Sequence, residues 1–272
     1  NLPMTAIDTS RQLLTTYQGV NLKFPIQEKL KVELGHVSKN SPRNEEDFYK
    51  FSYTQKGIKH YSDGLDYLNL SYDVNKDFNI NYYYGHLENL YDKHYLGVEH
   101  RYPIADNIAL HSKLRYFNSQ DNSNALDIDS QNVGLLETLK LNNHTLGVGY
   151  QRIIGDAYPL PDGFLPELYF INWNVTGFFK ENEKSWHFIY GYDFKDYILG
   201  LNSIAKYAVG RDIKMSNGDK NKESELDVLT TYNFQQPALK GLSLQHLFTR
   251  YQQDYGSDFT ENRFFINYQY KF

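Results

Sequence analysis

The segment RFFINYQYKF (263–272) alternates apolar and mostly polar side chains at every second position. Its apolar face ends in aromatic rings and comprises Phe264, Ile266, Tyr268, Tyr270 and Phe272. The opposite face is mostly polar and comprises Arg263, Phe265, Asn267, Gln269 and Lys271. A period of two indicates a β-strand rather than a helix. The polar face does not fit a dry protein core.

The same alternation recurs in FNINYYYG (78–85), LHSKLRYF (110–117) and SWHFIYGYDF (185–194). Strands of soluble sandwiches are usually about five or six residues long and do not collect aromatic side chains at their ends. Transmembrane barrels need strands of about 9–11 residues, aromatic girdles and a polar lumen. The sequence therefore predicts an all-β fold, a transmembrane antiparallel β-barrel, with a soluble β-protein as the alternative.

Composition excludes several other classes of protein. The 272 residues include no Cys, which excludes disulfide scaffolds and Cys-ligated zinc sites. Aromatic residues make up 16% of the chain, too much ring surface for a disordered protein despite a mean hydropathy of −0.64. A net charge of −5 gives no overall attraction to nucleic acid. No stretch approaches the ~18 continuous apolar residues of a membrane helix.

Turn signals and alternation together predict about 13 strands. They are expected near 12–23, 28–38, 65–74, 77–86, 93–102, 107–118, 129–140, 144–153, 185–194, 200–210, 223–234, 240–252 and 260–272. Every second connection is long and rich in Asn, Asp, Gly and Lys: 39–64, 87–92, 119–128, 154–184, 211–222 and 253–259. The others are short, which is typical of outer-membrane barrels with short periplasmic turns and longer outer loops.

The segment FLPELYFINWNVTGFF (164–179) is apolar enough to be a strand. Counting it as one would place the Pro-rich 154–163 and the Asp/Asn-rich 119–128 on the side of the short turns. We therefore expect 154–184 to be one long outer loop folded into the lumen. Loops longer than about 12–15 residues are usually functional, which favours a constriction here.

The strand count has a further implication. With about 13 strands, the first strand runs inward from the outer side, whereas bacterial single-chain barrels have an even number of strands. We expect 1–272 to form one transmembrane barrel domain that lacks N-terminal strands of a larger barrel. The alternative is that one strand has been missed or invented.

Seven segments in order resemble the OprD (Occ) family of substrate-specific outer-membrane porins. They are RQLLTTYQGVNL (11–22), LKVELGHVSKN (30–40), NINYYYGHLENLYDKHYLGVEH (79–100), SKLRYF (112–117), HTLGVGYQRIIGD (144–156), EKSWHFIYGYDF (183–194) and AKYAVGRDI (205–213). No single segment is specific, but their order along nearly the whole chain is.

The resemblance implies the C-terminal two-thirds of a monomeric barrel of about 18 strands in the outer membrane of a Gram-negative bacterium. It implies a porin that passes small carboxylate-bearing solutes such as amino acids, peptides and aromatic acids. The C-terminal Phe272 is expected to be recognised by the outer-membrane barrel assembly machinery.

In the family, a ladder of basic wall residues guides the carboxylate. The resemblance places Arg115, Lys206 and Arg263 in that ladder, and Lys113 shares the polar face of Arg115. A carboxylate in a narrow channel loses part of its hydration, and successive cationic groups replace it. The family often has Arg or Lys where this chain has Ile189, Leu229, Gln245 and Leu247, so only a weak preference for carboxylates is expected.

Each candidate has an alternative interpretation. The basic residues could instead be wall residues that pair with acids such as Glu99, Glu225 or Asp227. In the long loop, three acids could attract an α-amino group opposite the basic wall, or be ordinary surface charges: Asp156, Asp162 and Glu167.

Catalytic and cofactor sites are not expected. The His residues show no HExxH spacing, and the calcium-loop pattern is absent around Asp127 and Asp129. Ser112 and His100 should face lipid, as a barrel lipase requires, but nothing like a nucleophile elbow surrounds the Ser. The sequence predicts a channel without cofactor or metal. The alternatives are a non-conducting barrel acting as an anchor or adhesin through its outer loops and, third, a barrel hydrolase.

Overall fold

A computed structural model describes residues 2–5, 14–162, 176–215, 218 and 220–269 of the chain. Its main feature is one 13-stranded antiparallel sheet in which each strand pairs with the next along the chain, apart from a separate hairpin. The sheet comprises β1 (Thr16–Gln27), β2 (Leu30–Ser41), β5 (Leu65–Asn75), β6 (Phe78–Leu87), β7 (Tyr91–Ala105), β8 (Ile108–Asp121), β9 (Asp129–Leu141), β10 (His144–Gly155), β11 (Lys184–Asp193), β12 (Leu201–Lys214), β13 (Lys220–Asn233), β14 (Leu242–Gln253) and β15 (Phe259–Tyr268). The hairpin comprises β3 (Ser52–Gln55) and β4 (Ile58–Tyr61).

The all-β prediction and its strand order are confirmed. No helix in the described ranges is long and apolar enough to cross a membrane. Strands β1 and β15 are the two edges of the sheet, and no pairing joins them among the described residues. The ends of the first and last predicted strands, 12–13 and 270–272, lie outside the described residues.

The predicted position of the first strand is wrong by about four residues. We expected a turn at 24–27, but β1 continues through Pro25 to Gln27, with a register shift between these two residues. Proline cannot donate a backbone hydrogen bond, and it is tolerated on edge strands and at bulges. Pro25 therefore lies within a strand at the edge of the described sheet.

The two faces of the sheet differ as the alternation predicts. On β11, Trp186, Phe188 and Tyr190 are each about half exposed, at 50%, 49% and 48%. Their neighbours Ser185 and His187 are fully buried on the opposite face, where loop residues pack. We call the face of the exposed rings the membrane face and the opposite one the inner face.

An apolar cluster covers part of the inner face, near the outer-loop ends of β5–β8. Phe117 is fully buried, and its ring lies 4.7 Å from that of Tyr95 and 5.2 Å from that of Tyr158 in the loop after β10. Phe51, which precedes the β3–β4 hairpin, joins the same cluster. The cluster holds segments of two long loops against the wall.

We expect Phe117→Ala to lower the free energy of unfolding by about 3–5 kcal/mol, because it leaves a cavity among buried rings. The measurement is urea unfolding of the full-length protein in detergent micelles. Phe48→Ala is the matched control, since Phe48 is 44% exposed. An equal loss of stability in the two variants would contradict the assigned packing.

Candidate functional site

Several basic side chains lie near one acid, Glu99, on the inner face of β7 and β8. Arg115 is 7% exposed and donates a hydrogen bond to the carboxylate of Glu99. Lys113 lies directly opposite Glu99 in the strand register, and the His111 Nε2 lies 3.6 Å from a Glu99 oxygen. Arg101 pairs in register with His111. We call these four residues, Arg101, His111, Lys113 and Arg115, the basic column.

The basic column carries more positive charge than Glu99 can neutralise. Arg115 is fixed by Glu99 and by the Leu114 carbonyl oxygen, 3.2 Å from its Nη1. Lys113 is only half-buried, and in the described part of the chain its amine has no hydrogen bond or ion pair. Arg101 is exposed and likewise has no hydrogen bond or ion pair among the described residues, so Lys113 and Arg101 are the cations of this group that are available to a passing anion.

Lys206 lies in a different setting on β12. Its side chain is fully buried and stands directly opposite Asp227 of β13. Asp227 also accepts a hydrogen bond from Thr249 at 2.7 Å. Arg263 of β15 donates to Glu261 at 2.6 Å. These two basic residues therefore lie beside acidic side chains.

The two described loop acids, Asp156 and Asp162, bind other loop segments rather than the basic column. Asp162 accepts hydrogen bonds from the Ser52 and Thr54 hydroxyls, at 2.8 and 3.1 Å, and so binds the β3–β4 hairpin. Asp156 accepts one from the backbone N–H of Asp129 at 2.9 Å. Glu167 lies outside the described residues. The two described carboxylates thus stabilise the conformation of the loops.

Three buried acids on β13 were not singled out as one group by the sequence reasoning. Glu223, Glu225 and Asp227 are each at most 1% exposed and share the inner face. Glu223 accepts a hydrogen bond from Lys180 at 2.6 Å, and Glu225 accepts one from the backbone N–H of Thr176 at 2.9 Å. The alternation in ESELD (223–227) could have revealed this row.

Lys93 was also missed. It is 1% exposed, donates to the carbonyl oxygen of Pro159 at 2.7 Å, and lies 3.7 Å from the ring centroid of Tyr158. Lys93 on β7 and the acids of β13 therefore contact the two described ends of the 154–184 loop from different parts of the wall.

Comparison with known proteins agrees with this architecture. A family profile described as outer membrane porin, OprD family, matches residues 1–272. The chain belongs to the OprD family of outer-membrane porins. The resemblance inferred from seven sequence segments is thus confirmed, as are the β-barrel class and the outer-membrane location.

Relatives of known structure are similar over almost the whole chain. The crystal structure of Acinetobacter baumannii OccAB4 is 57% identical, with a TM-score of 0.94 over 98% of this chain and 68% of that one. Pseudomonas aeruginosa OpdQ is 30% identical, with a TM-score of 0.90 over 98% and 73%. The porin-like protein GalP of Pseudomonas putida is 26% identical over 98% of this chain and 65% of its own. The chain thus spans about two thirds of the length of GalP.

Membership of the OprD family also confirms the prediction that the protein is not an enzyme, since the family consists of porins. Ser112 and His100 do lie opposite each other in the register. However, the Ser112 hydroxyl donates to Glu137 at 2.6 Å, and no hydrogen bond links it to His100 among the described residues.

Glu183, in the loop just before β11, provides a pH-dependent contact. Burial raises its pKa to about 9, and the nearby Glu223 carboxylate acts in the same direction. The acid is therefore protonated at neutral pH. Its Oε2 accepts a hydrogen bond from the backbone N–H of Lys180 at 3.0 Å, within the same loop end.

We expect docking of 176–183 to weaken as pH rises. A carboxyl group whose pKa is raised on folding binds more protons when docked, so its contribution is complete below the unfolded pKa of about 4.3 and is lost towards pH 9. Hydrogen-exchange protection factors of peptides covering 176–183 should fall between about pH 5 and about pH 9. Glu183→Gln should remove most of this fall. An equal fall in both proteins would refute the assignment.

Proposed function

We propose that the protein is a diffusion channel for small polar solutes, with a weak preference for solutes that carry a carboxylate. The observation that carries the proposal is the basic column on β7 and β8, where the three cations Arg101, Lys113 and Arg115 outnumber the acid Glu99. Membership of a porin family supports the channel, and the charge of the column supports the preference.

The basic column suits transient binding of an anion. A carboxylate that enters a narrow channel loses water, and Lys113 and Arg101 can replace that water with charge-assisted hydrogen bonds. Glu99 limits the net charge of the column, so a bound anion is held weakly enough to leave. Lys206 and Arg263 contribute less to anion binding, because their charges are balanced by Asp227 and Glu261.

The described acids do not favour recognition of an amino group. The carboxylates of the predicted acidic partners Asp156 and Asp162 accept hydrogen bonds from other loop segments. The β13 acids are buried beneath the loop. The proposed preference therefore concerns the carboxylate of the solute, with amino acids, peptides and aromatic acids as candidates. An assignment for Glu167 stays a prediction.

We also propose that the 154–184 loop folds into the lumen and narrows it. The contacts of Lys93 with Pro159 and of Lys180 with Glu223 support this, because they attach the loop to inner-face side chains of β7 and β13. Three further statements stay predictions: residues 1–272 belong to one barrel domain, the protein is a monomer, and the assembly machinery recognises Phe272. Phe272 lies outside the described residues.

Single-channel recording of the full-length protein in a lipid bilayer tests the channel. We expect conducting events that glutamate and benzoate interrupt more often than arginine does, because the basic column favours anions. Lys113→Gln should lower the ratio of anion to cation permeability by roughly two- to fivefold. Arg115→Gln should have a smaller or opposite effect, since it leaves Glu99 without its main partner.

Lys195→Gln is the matched control, since it removes the same charge from an exposed turn between β11 and β12. A folded barrel that conducts no current would overturn the channel. Equal effects of Lys113→Gln and Lys195→Gln would retain the channel and overturn the assigned carboxylate preference.

A further inference from the structure

The membrane face carries a row of cations at the outer-loop ends of four neighbouring strands. Arg152 of β10 pairs in register with Lys184 of β11, which pairs with Arg211 of β12. Lys222 of β13 lies opposite the register shift that follows Gly210. All four belong to the outward-facing set of their strands, which we call the cationic row: Arg152, Lys184, Arg211 and Lys222.

The charge of the cationic row is only partly neutralised by the protein. Asp212 accepts a hydrogen bond from Lys184 at 2.7 Å and lies 3.6 Å from Lys220. Arg152 and Arg211 are exposed, and neither guanidinium group has a hydrogen bond or ion pair in the described ranges. Two planar groups with five N–H donors each therefore point away from the barrel without a protein partner.

An apolar groove lies directly beneath the cationic row on the same face. It has a volume of about 570 Å³, and its apolar walls are formed by Leu135, Val148, Tyr150 and Trp186. The Tyr150 and Trp186 rings lie 4.9 Å apart. Two carboxylates, Glu137 and Asp212, also line the groove. Glu137 accepts a hydrogen bond from Ser112, and Asp212 accepts one from Lys184. Lys184 and Arg211 form its upper rim.

We propose that the cationic row and the groove bind a phosphorylated lipid of the outer leaflet, with its phosphate groups on Arg152 and Arg211 and an acyl chain along the groove. Guanidinium groups bind phosphate oxygens through paired hydrogen bonds. Aromatic side chains lie at the membrane–water interface, and basic pockets beside them bind lipid head groups. The position of the row above a lipid-facing groove favours a lipid over free phosphate.

The site is local rather than a property of the whole rim. At the outer-loop ends of β5, β6 and β7, the outward-facing positions hold Asp66, His86 and Asp92. His86 contacts Asp92 at 2.6 Å. These side chains form a hydrogen-bonded surface with two carboxylates, which would repel phosphate. The lipid should therefore occupy one sector of the barrel, at β10–β13.

Native mass spectrometry of the full-length protein in detergent, titrated with bisphosphorylated lipid A, tests the proposal. Arg152→Gln combined with Arg211→Gln should weaken retention of the lipid by about tenfold or more. Neither side chain has a described protein partner, so the variant should fold, which strand circular dichroism verifies. Lys195→Gln combined with Lys240→Gln is the matched control, since it removes two charges from turns at the other end of the barrel, and should bind as the parent does.

Three further comparisons separate the sources of binding. Dephosphorylated lipid A should bind the parent protein about as weakly as lipid A binds the Arg variant. Inorganic phosphate at millimolar concentration should not displace lipid A, because it lacks the chain for the groove. Trp186→Ala should weaken lipid binding without affecting Arg152 or Arg211. Unchanged retention in the double Arg variant, or equal binding of both forms of lipid A, would overturn the proposal.

Discussion

The whole structure depends on one continuous ladder of backbone hydrogen bonds between neighbouring antiparallel strands. In a bilayer no water can satisfy an unpaired N–H or carbonyl group, so the strands must pair over their full length. Continuous pairing in turn fixes the register, and a period of two then assigns each side chain to lipid or to the inner face. Trp186 and Phe188 on one side, and Ser185 and His187 on the other, follow from that single constraint.

Much of the wall could be predicted because its signals are local. Alternation and turn residues placed all 13 strands of the sheet in order. The β3–β4 hairpin was missed, although Lys56 and Gly57 have positive φ angles of 51° and 79° and form its turn. A Lys-Gly pair signals such a turn less strongly than Asn-Gly does. Pro25 led to the wrong end for β1, because proline is common in turns but here lies in an edge strand.

The candidate site could be predicted only in part. The family resemblance identified Arg115, Lys206 and Arg263, and alternation assigned Arg115 and Arg263 to the polar face. It could not tell how strongly each charge is balanced, because that depends on cross-strand partners. The contacts of the loops were even harder to predict from the sequence. Asp162 binds Ser52, a residue 110 positions earlier, and no local pattern reports such a pairing. Lys93 could be assigned to a face, but its contact with Pro159 depends on how the loop folds.

The bulge in β12 shows how one local irregularity divides charge between the two faces. Lys206, Ala208 and Gly210 are buried on the inner face at even positions, whereas after the bulge the buried residue is Ile213. One extra residue reverses the alternation and bends the strand. Asp212, at a φ angle of 60°, sits in this irregularity and holds Lys184 of the adjacent strand. Without the bulge, Asp212 would share the inner face with Gly210, close to the buried acids of β13. The bulge instead keeps the carboxylate of Asp212 off the inner face. β12 therefore carries Lys206 opposite an acid on the inner face, and Arg211 without a described partner on the membrane face.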